Sequence, residues 1–513
     1  MSYVLDAVYE HAKNQPNELA LVEGRVSYQM LAQKVSEFSE FFQTSGCHTV
    51  AIALDNGADW VYADLAAMNL GLSVVPIPSF FSDAQVKHVL AQAHVDLWMT
   101  NRAEPFDESF GERIDKPFDK PFDKPFDKPF DKTWTLYSSA YSHLKFYRRF
   151  ATQITEAAKV TFTSGSTGQP KGVVLKHSTI DATAKGIVEA LSSLGLRQHL
   201  SVLPLATLLE NIAGLYAPLV NGSSVCLPGM SQVGLAGASL NIEAFVETCA
   251  RYKADSMILV PQLLMAIASL TEFELIDPSN YKLMAVGGGR VSKSLLEKSE
   301  SLGLPVYEGY GLSECSSVVS LNRPGKRKLG SVGKALPHSQ IKIAKDSEVL
   351  VKGTVMQGYL GEAPLGADGW FSTGDIGSID EDGNLYITGR KKNVFITAYG
   401  RNVNPEWVEA ALGQIPEVSQ VLVYGESQGH NLALIWPRFP ISTDQMLAAI
   451  TAANQELPDY ARAHEFILIE EPLRPSLQTA NGRLKRQAVI DEYFALIQQH
   501  YEAATRRLDN VGN

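Results

Sequence analysis

Residues 161–172 read Thr161-Phe162-Thr163-Ser164-Gly165-Ser166-Thr167-Gly168-Gln169-Pro170-Lys171-Gly172. Five hydroxyls and three glycines in one stretch allow main-chain N–H groups and side-chain oxygens to wrap phosphate oxygens. Lys171 adds a compact positive charge. A Walker loop would need Gly-x4-Gly-Lys followed by Ser or Thr and then a helix, and that spacing is absent. A plain Ser/Gly linker has a similar composition. It rarely sits between apolar Val160 and strand-like Val173-Val174-Leu175, and rarely ends in Pro-Lys-Gly. The stretch therefore predicts a phosphate loop.

Such a loop needs rigid elements on both sides. Ser27-Tyr28-Gln29-Met30-Leu31-Ala32 opens an amphipathic helix, and Val50-Ala51-Ile52-Ala53-Leu54 reads as a buried strand. Asp59 to Asn69 predicts a helix, and Ser73-Val74-Val75-Pro76-Ile77 a further strand. Met257-Ile258-Leu259-Val260-Pro261 and Leu283-Met284-Ala285-Val286 are also strand-like, the latter running into Gly287-Gly288-Gly289. Strands alternating with helices imply parallel sheets in an α/β fold. From about Val394 the chain changes to short alternating segments and ends in a long polar helix, a smaller α+β domain. Between Asp115 and Lys132 it repeats Asp-Lys-Pro-Phe, and a proline at every fourth position excludes a helix interior or a central strand. That segment reads as an enlarged surface loop.

With 513 residues the chain exceeds one core and should divide into domains. A formal net charge of −11 argues against a nucleic-acid partner. Four cysteines (Cys47, Cys226, Cys249, Cys315) without CxxC spacing suit a reducing compartment and offer neither a disulfide framework nor a zinc site. Neither a signal peptide nor an apolar run of membrane-spanning length is visible, so the expected location is the cytoplasm.

The order Ser-Gly-Ser-Thr-Gly-x-Pro-Lys-Gly resembles the phosphate loop of the adenylate-forming (AMP-binding) superfamily. Four further stretches resemble its signatures in the family's order. They are Gly309-Tyr310-Gly311-Leu312-Ser313-Glu314, Trp370-Phe371-Ser372-Thr373-Gly374-Asp375, Gly389-Arg390-Lys391-Lys392, and Gly400-Arg401-Asn402-Val403-Asn404-Pro405-Glu406. The pattern is similar to that of long-chain fatty acyl-CoA synthetases and spans nearly the whole chain. Leu203-Pro204-Leu205-Ala206-Thr207-Leu208-Leu209-Glu210 resembles their Leu-Pro-Leu-Ala-His segment, with Thr207 for histidine.

The resemblance implies a ligase that uses ATP and Mg²⁺ to make an acyl-AMP and passes the acyl group to coenzyme A, or to a carrier-protein phosphopantetheine. Its substrate would be a small-molecule carboxylic acid, a fatty acid by preference. Thr163, Ser164, Gly165, Ser166, Thr167, Gly168 and Lys171 would hold the phosphates, with Glu314 and Thr167 on the metal. Tyr310 would stack on adenine beside Gly287, Gly288, Gly289, Gly311 and Ser313, while Asp375 and Arg390 would take the ribose. Thr207, Gly287, Gly309 and Gly311 would border the acid, and Gly400 the thiol tunnel. The division would be an N-terminal domain over residues 1–390, a hinge at 391–392 and a lid over 393–513.

Two departures stand out. The family carries a C-terminal lysine in an Asn-Gly-Lys context, where this chain has Asn481-Gly482-Arg483-Leu484-Lys485. Arg483 or Lys485 must then supply the catalytic cation, or the chain is a nucleotide- or acyl-binding pseudoenzyme. The second departure is Asn393, where many relatives have aspartate.

Overall fold

The computed structural model describes residues 2–101, 112–113, 144–148, 157–163, 170–236, 239–365, 369–479 and 482–511. The Asp-Lys-Pro-Phe repeat lies outside the described residues, and so do phosphate-loop residues 164–169.

Two large mixed sheets build the N-terminal part. In the first, Lys159–Thr163, Ser73–Pro76, Thr49–Ala53 and Leu97–Thr100 run parallel, and antiparallel strands flank them on both edges. The β-branched and apolar residues of these strands are buried on both faces, as a sheet covered by helices requires. Helix Ala58–Leu70 shows the same logic: its residues from Trp60 to Met68 are all buried, and Gly71 at φ +68° ends it. The second sheet aligns Leu19–Leu21, Ser224–Cys226, Gln198–Leu200, Ser256–Leu259, Leu283–Val286 and Val306–Tyr310 in parallel, again with antiparallel edges. Pro261, read as the end of a strand, instead opens helix Pro261–Glu272, because proline suits the first helical turn.

A third, antiparallel sheet orders Ser339–Ile343, Glu348–Gly353, Phe371–Ile379 and Leu385–Arg390. Beyond it lies the smaller C-terminal domain, with strands Val418–Tyr424, Asn431–Pro437 and Ala463–Leu468 and a last helix, Arg486–Val511. Its apolar residues, from Phe395 to Tyr501, cluster among themselves rather than with the earlier cores. No helix among the described residues is long and apolar enough to cross a membrane.

Candidate active site

Asp375 and Arg390 face each other in antiparallel register on neighbouring strands. The guanidinium Nε lies 2.8 Å from Asp375 Oδ1, and the Tyr310 hydroxyl donates to Oδ2 at 2.6 Å. Three separate motifs thus meet on one carboxylate, which is only 4% exposed. Burial raises the Asp375 pKa, and Arg390 and the Tyr310 hydroxyl partly offset it. Burial and the adjacent Asp375 carboxylate push the Tyr310 phenol up, so it remains a proton donor. Each carboxylate oxygen can accept a second hydrogen bond, so ribose hydroxyls can still be taken.

Beside this group is a cavity of about 270 Å³, near the small end for ligand pockets. Gly287, Gly288, Gly309, Tyr310, Gly311, Ser313 and Thr207, all expected at the site, line it. Gly288 holds φ +74°, a conformation other residues rarely adopt. Gly311 is fixed by the protein itself: a Cβ there would lie 1.4 Å from the Ser317 carbonyl oxygen. Thr207 donates its hydroxyl to Pro204 O at 2.7 Å, so it closes the preceding turn as well as bordering the cavity. The remaining wall is largely aliphatic, with Leu208 and Leu209 in the lining and Leu205, Ile212 and Leu215 in the core behind. His199 lines the cavity with both ring nitrogens engaged, Nδ1 at 3.1 Å from Ser256 Oγ and Nε2 at 3.1 Å from Glu210.

The wall segment Glu210–Tyr216 is a π-helix, a form frequent at functional sites. Sequence periodicity does not reveal the buried amine beneath it. Lys159 Nζ donates to Asp64 at 2.9 Å, Tyr216 at 2.9 Å and Asn211, and the Tyr216 hydroxyl donates to Asp64. Burial lowers the lysine pKa, and the Asp64 carboxylate opposes that. Asn211 and Tyr216, both on the π-helix, are thereby tied to the first sheet.

Thr163 and Lys171, on either side of the expected phosphate loop, pair across strands Lys159–Thr163 and Lys171–Leu175. Ser164, Gly165, Ser166, Thr167 and Gly168 themselves lie outside the described residues. Lys171 pairs with Glu362 at 3.0 Å and sits 5.1 Å from the Tyr359 ring. The Tyr359 hydroxyl donates to Glu314 Oε1 at 2.8 Å. Tyr359 belongs to none of the motifs, yet it links the metal candidate to the loop lysine. Glu314 offers the hard carboxylate oxygen that magnesium favours. Cys315 beside it is fully buried, and burial pushes its thiol well up, as befits an inert core residue.

The two candidate cations diverge. Arg483 reaches across from the C-terminal domain and donates to the Gly288 carbonyl at the cavity edge. Loss of surrounding water, then the like charge of Arg390, lowers its pKa, although the residue keeps an exposed surface. Lys485 turns back and donates to Ser476 O at 3.1 Å within its own domain. Lys391 pairs with Asp346 at 2.7 Å and Glu348 at 2.8 Å, while Gly289 packs near Pro261. Asn393 donates to Glu406, which also accepts from the Arg390 main chain at 3.2 Å. An aspartate at 393 would set a second carboxylate against Glu406, which gives that departure a physical reason. Gly400 occupies an exposed turn with φ +71° and does not line the cavity.

The polar corner of Asp375, Arg390 and Tyr310 thus stands beside a largely apolar cavity. The AMP-binding enzyme family matches residues 8–360 and the AMP-binding enzyme C-terminal domain residues 392–505; the chain belongs to this family. It is similar to a long-chain-fatty-acid–CoA ligase of Mycobacterium bovis, 29% identical over 56% of this chain and 55% of that protein, so the match spans little over half of that relative. It is also similar to a 2-succinylbenzoate–CoA ligase of Bacillus licheniformis, 28% identical over 81% of this chain and 85% of that one. In fold it resembles an anthranilate CoA ligase complexed with anthranoyl-AMP, with TM-score 0.76, 18% identity and coverage of 97% and 98%. An O-succinylbenzoate coenzyme A synthetase from Bacillus subtilis bound to AMP gives TM-score 0.71, 24% identity and coverage of 94% and 97%.

Proposed function

We propose that the chain is an ATP-dependent acid–thiol ligase acting on an apolar monocarboxylic acid, with coenzyme A as acceptor. An acid oxygen attacks the α-phosphorus, the bond to the β-phosphate oxygen breaks, and pyrophosphate leaves. The thiol then loses its proton to solvent, its sulfur attacks the acyl carbon, the acyl C–O bond to phosphate breaks and AMP departs. The observation that carries this reading is Arg483 at the Gly288 carbonyl, on the edge of the cavity, with the Asp375–Arg390–Tyr310 group alongside. Arg483 would stabilise charge on the α-phosphate, and Asp375 would hold the ribose. Glu314 with Thr167 would hold magnesium, which neutralises triphosphate charge when bound.

The acid is read from the cavity. No Lys or Arg lines it among the described residues, and His199 has both nitrogens occupied, so a second carboxylate would find no cation there. That supports a fatty or other apolar acyl group. Lys391 and Lys392 would form the hinge about which residues 393–513 turn, bringing the Gly400 face to the incoming thiol for the second half-reaction. Pyrophosphate release measured across fatty, aromatic and dicarboxylic acids, with CoA or a phosphopantetheinylated carrier protein added, tests the whole reading. Turnover should be greatest with apolar monoacids and CoA. Release with the carrier protein alone would move the acceptor, and no release with any acid would leave a binding protein.

A further inference from the structure

We propose that His430, Glu465 and His500 form a binding site for one divalent transition-metal ion of the zinc type, fastening the last helix to the C-terminal sheet. The three residues come from separate elements. His430 precedes strand Asn431–Pro437, Glu465 lies on strand Ala463–Leu468, and His500 on helix Arg486–Val511. No short motif joins them, so sequence spacing does not reveal the cluster. In the fold their donor atoms all lie within 4.8 Å of one another.

The details favour a cation between them over a set of ordinary hydrogen bonds. His430 Nε2 lies 3.4 Å from Glu465 Oε2, is shut off from water, and makes no hydrogen bond. His500 Nε2 contacts the same carboxylate oxygen. Two imidazoles thus converge on one oxygen that satisfies only one of them, and a buried nitrogen without a partner is costly. Zinc bonds of about 2.0–2.1 Å in tetrahedral geometry put neighbouring donors roughly 3.3–3.4 Å apart, which the His430–Glu465 separation matches, while His500, hydrogen-bonded to the same oxygen, would draw back to admit the ion. Two imidazoles and one carboxylate suit zinc, nickel or copper and not magnesium or calcium. The side chains keep 23–31% exposure, which leaves an ion a route in. Tyr501 braces the group: its hydroxyl donates to His430 O at 2.9 Å, and its ring lies 4.9 Å from the His430 ring.

The test uses the full chain, stripped with a chelator and titrated with Zn²⁺ by calorimetry while Mg²⁺ is present in excess. All four cysteines are buried and offer the ion no ready thiolate. One equivalent should bind, and Glu465→Gln and His430→Gln should each weaken binding by about tenfold or more. Zinc should raise the melting temperature of the stripped protein and leave that of Glu465→Gln unchanged. Co²⁺ added to the unsubstituted chain should give the visible absorption bands of four- or five-coordinate cobalt, a reading that needs no variant to fold. Absence of stoichiometric binding, or binding undiminished in both variants, overturns the proposal. Pyrophosphate release should continue in both variants, and its loss would tie the cluster to catalysis and overturn the fastening role.

Discussion

Lys159 and Lys391 both pair with carboxylates, in opposite surroundings. The Lys159 side chain is 2% exposed, with Asp64, Asn211 and Tyr216 around its amine beneath the cavity wall. Lys391 is 48% exposed between Asp346 and Glu348 at the domain junction. Removing one partner from a buried pair strands a charge in a poor solvent, whereas an exposed pair gives way to water at little cost. The wall that must keep its shape is held by the first kind of contact. The proposed hinge, which would have to turn, is held by the second kind.

The largest effect is expected from Lys159→Met. It leaves Asp64 buried without its cation, so chemical denaturation should show a loss of roughly 3–5 kcal/mol. A variant as stable as the parent would mean that the network is not holding the wall.

The next effect in size is on rate. Arg483→Ala should slow acyl-AMP formation about a hundredfold or more, with thiol transfer from synthetic acyl-AMP nearly normal. Arg483→Lys should keep the first step, and Lys485→Ala should change neither. If Lys485→Ala alone abolishes pyrophosphate release, the amine now on Ser476 is the catalytic one.

Glu308, two residues before Tyr310, adds a pH reading. Burial pushes its carboxyl up to about 7, against Gly330 N–H, Arg290 and Arg327, which pull it down. A raised folded pKa stabilises the protein below the unfolded value of 4.5, and that contribution is lost as pH rises through about 7. Stability should therefore fall by roughly 2 kcal/mol between pH 5 and 8 on this account, and Glu308→Gln should flatten that part of the profile. Equal slopes in parent and variant would refute it.

Lys391→Ala should give the smallest effect on stability. Its urea midpoint should barely move, while the ratio of the two half-reaction rates shifts as the junction loosens. A large fall in midpoint would place Lys391 with Lys159 and erase the contrast.

Much of this was legible before the fold was seen. Tyr310, Asp375 and Arg390 could be named because their motifs keep local spacing, and the cross-strand pairing of Asp375 with Arg390 then explains their association. Strands such as Leu283–Val286 showed as apolar runs because buried parallel strands have no polar face. Tyr359, Lys159 and the His430–Glu465–His500 group were hidden for one reason. Each acts through partners tens of residues away, and no periodicity records such meetings. The choice between Arg483 and Lys485 was open as well, since it depends on which way a loop aims two long side chains.

Asn211 and Tyr216 of the π-helical wall are five residues apart and both reach Lys159. At the α-helix's 3.6 residues per turn, positions five apart point in widely different directions, while the wider turn brings them nearly into line. The polar network and the extra residue in the turn therefore require each other. Deleting one residue between them would let an α-helix present the same two groups to the same lysine. Natural insertions and deletions at this one place could thus lengthen or shorten the chamber's side while the nucleotide-handling motifs stay untouched.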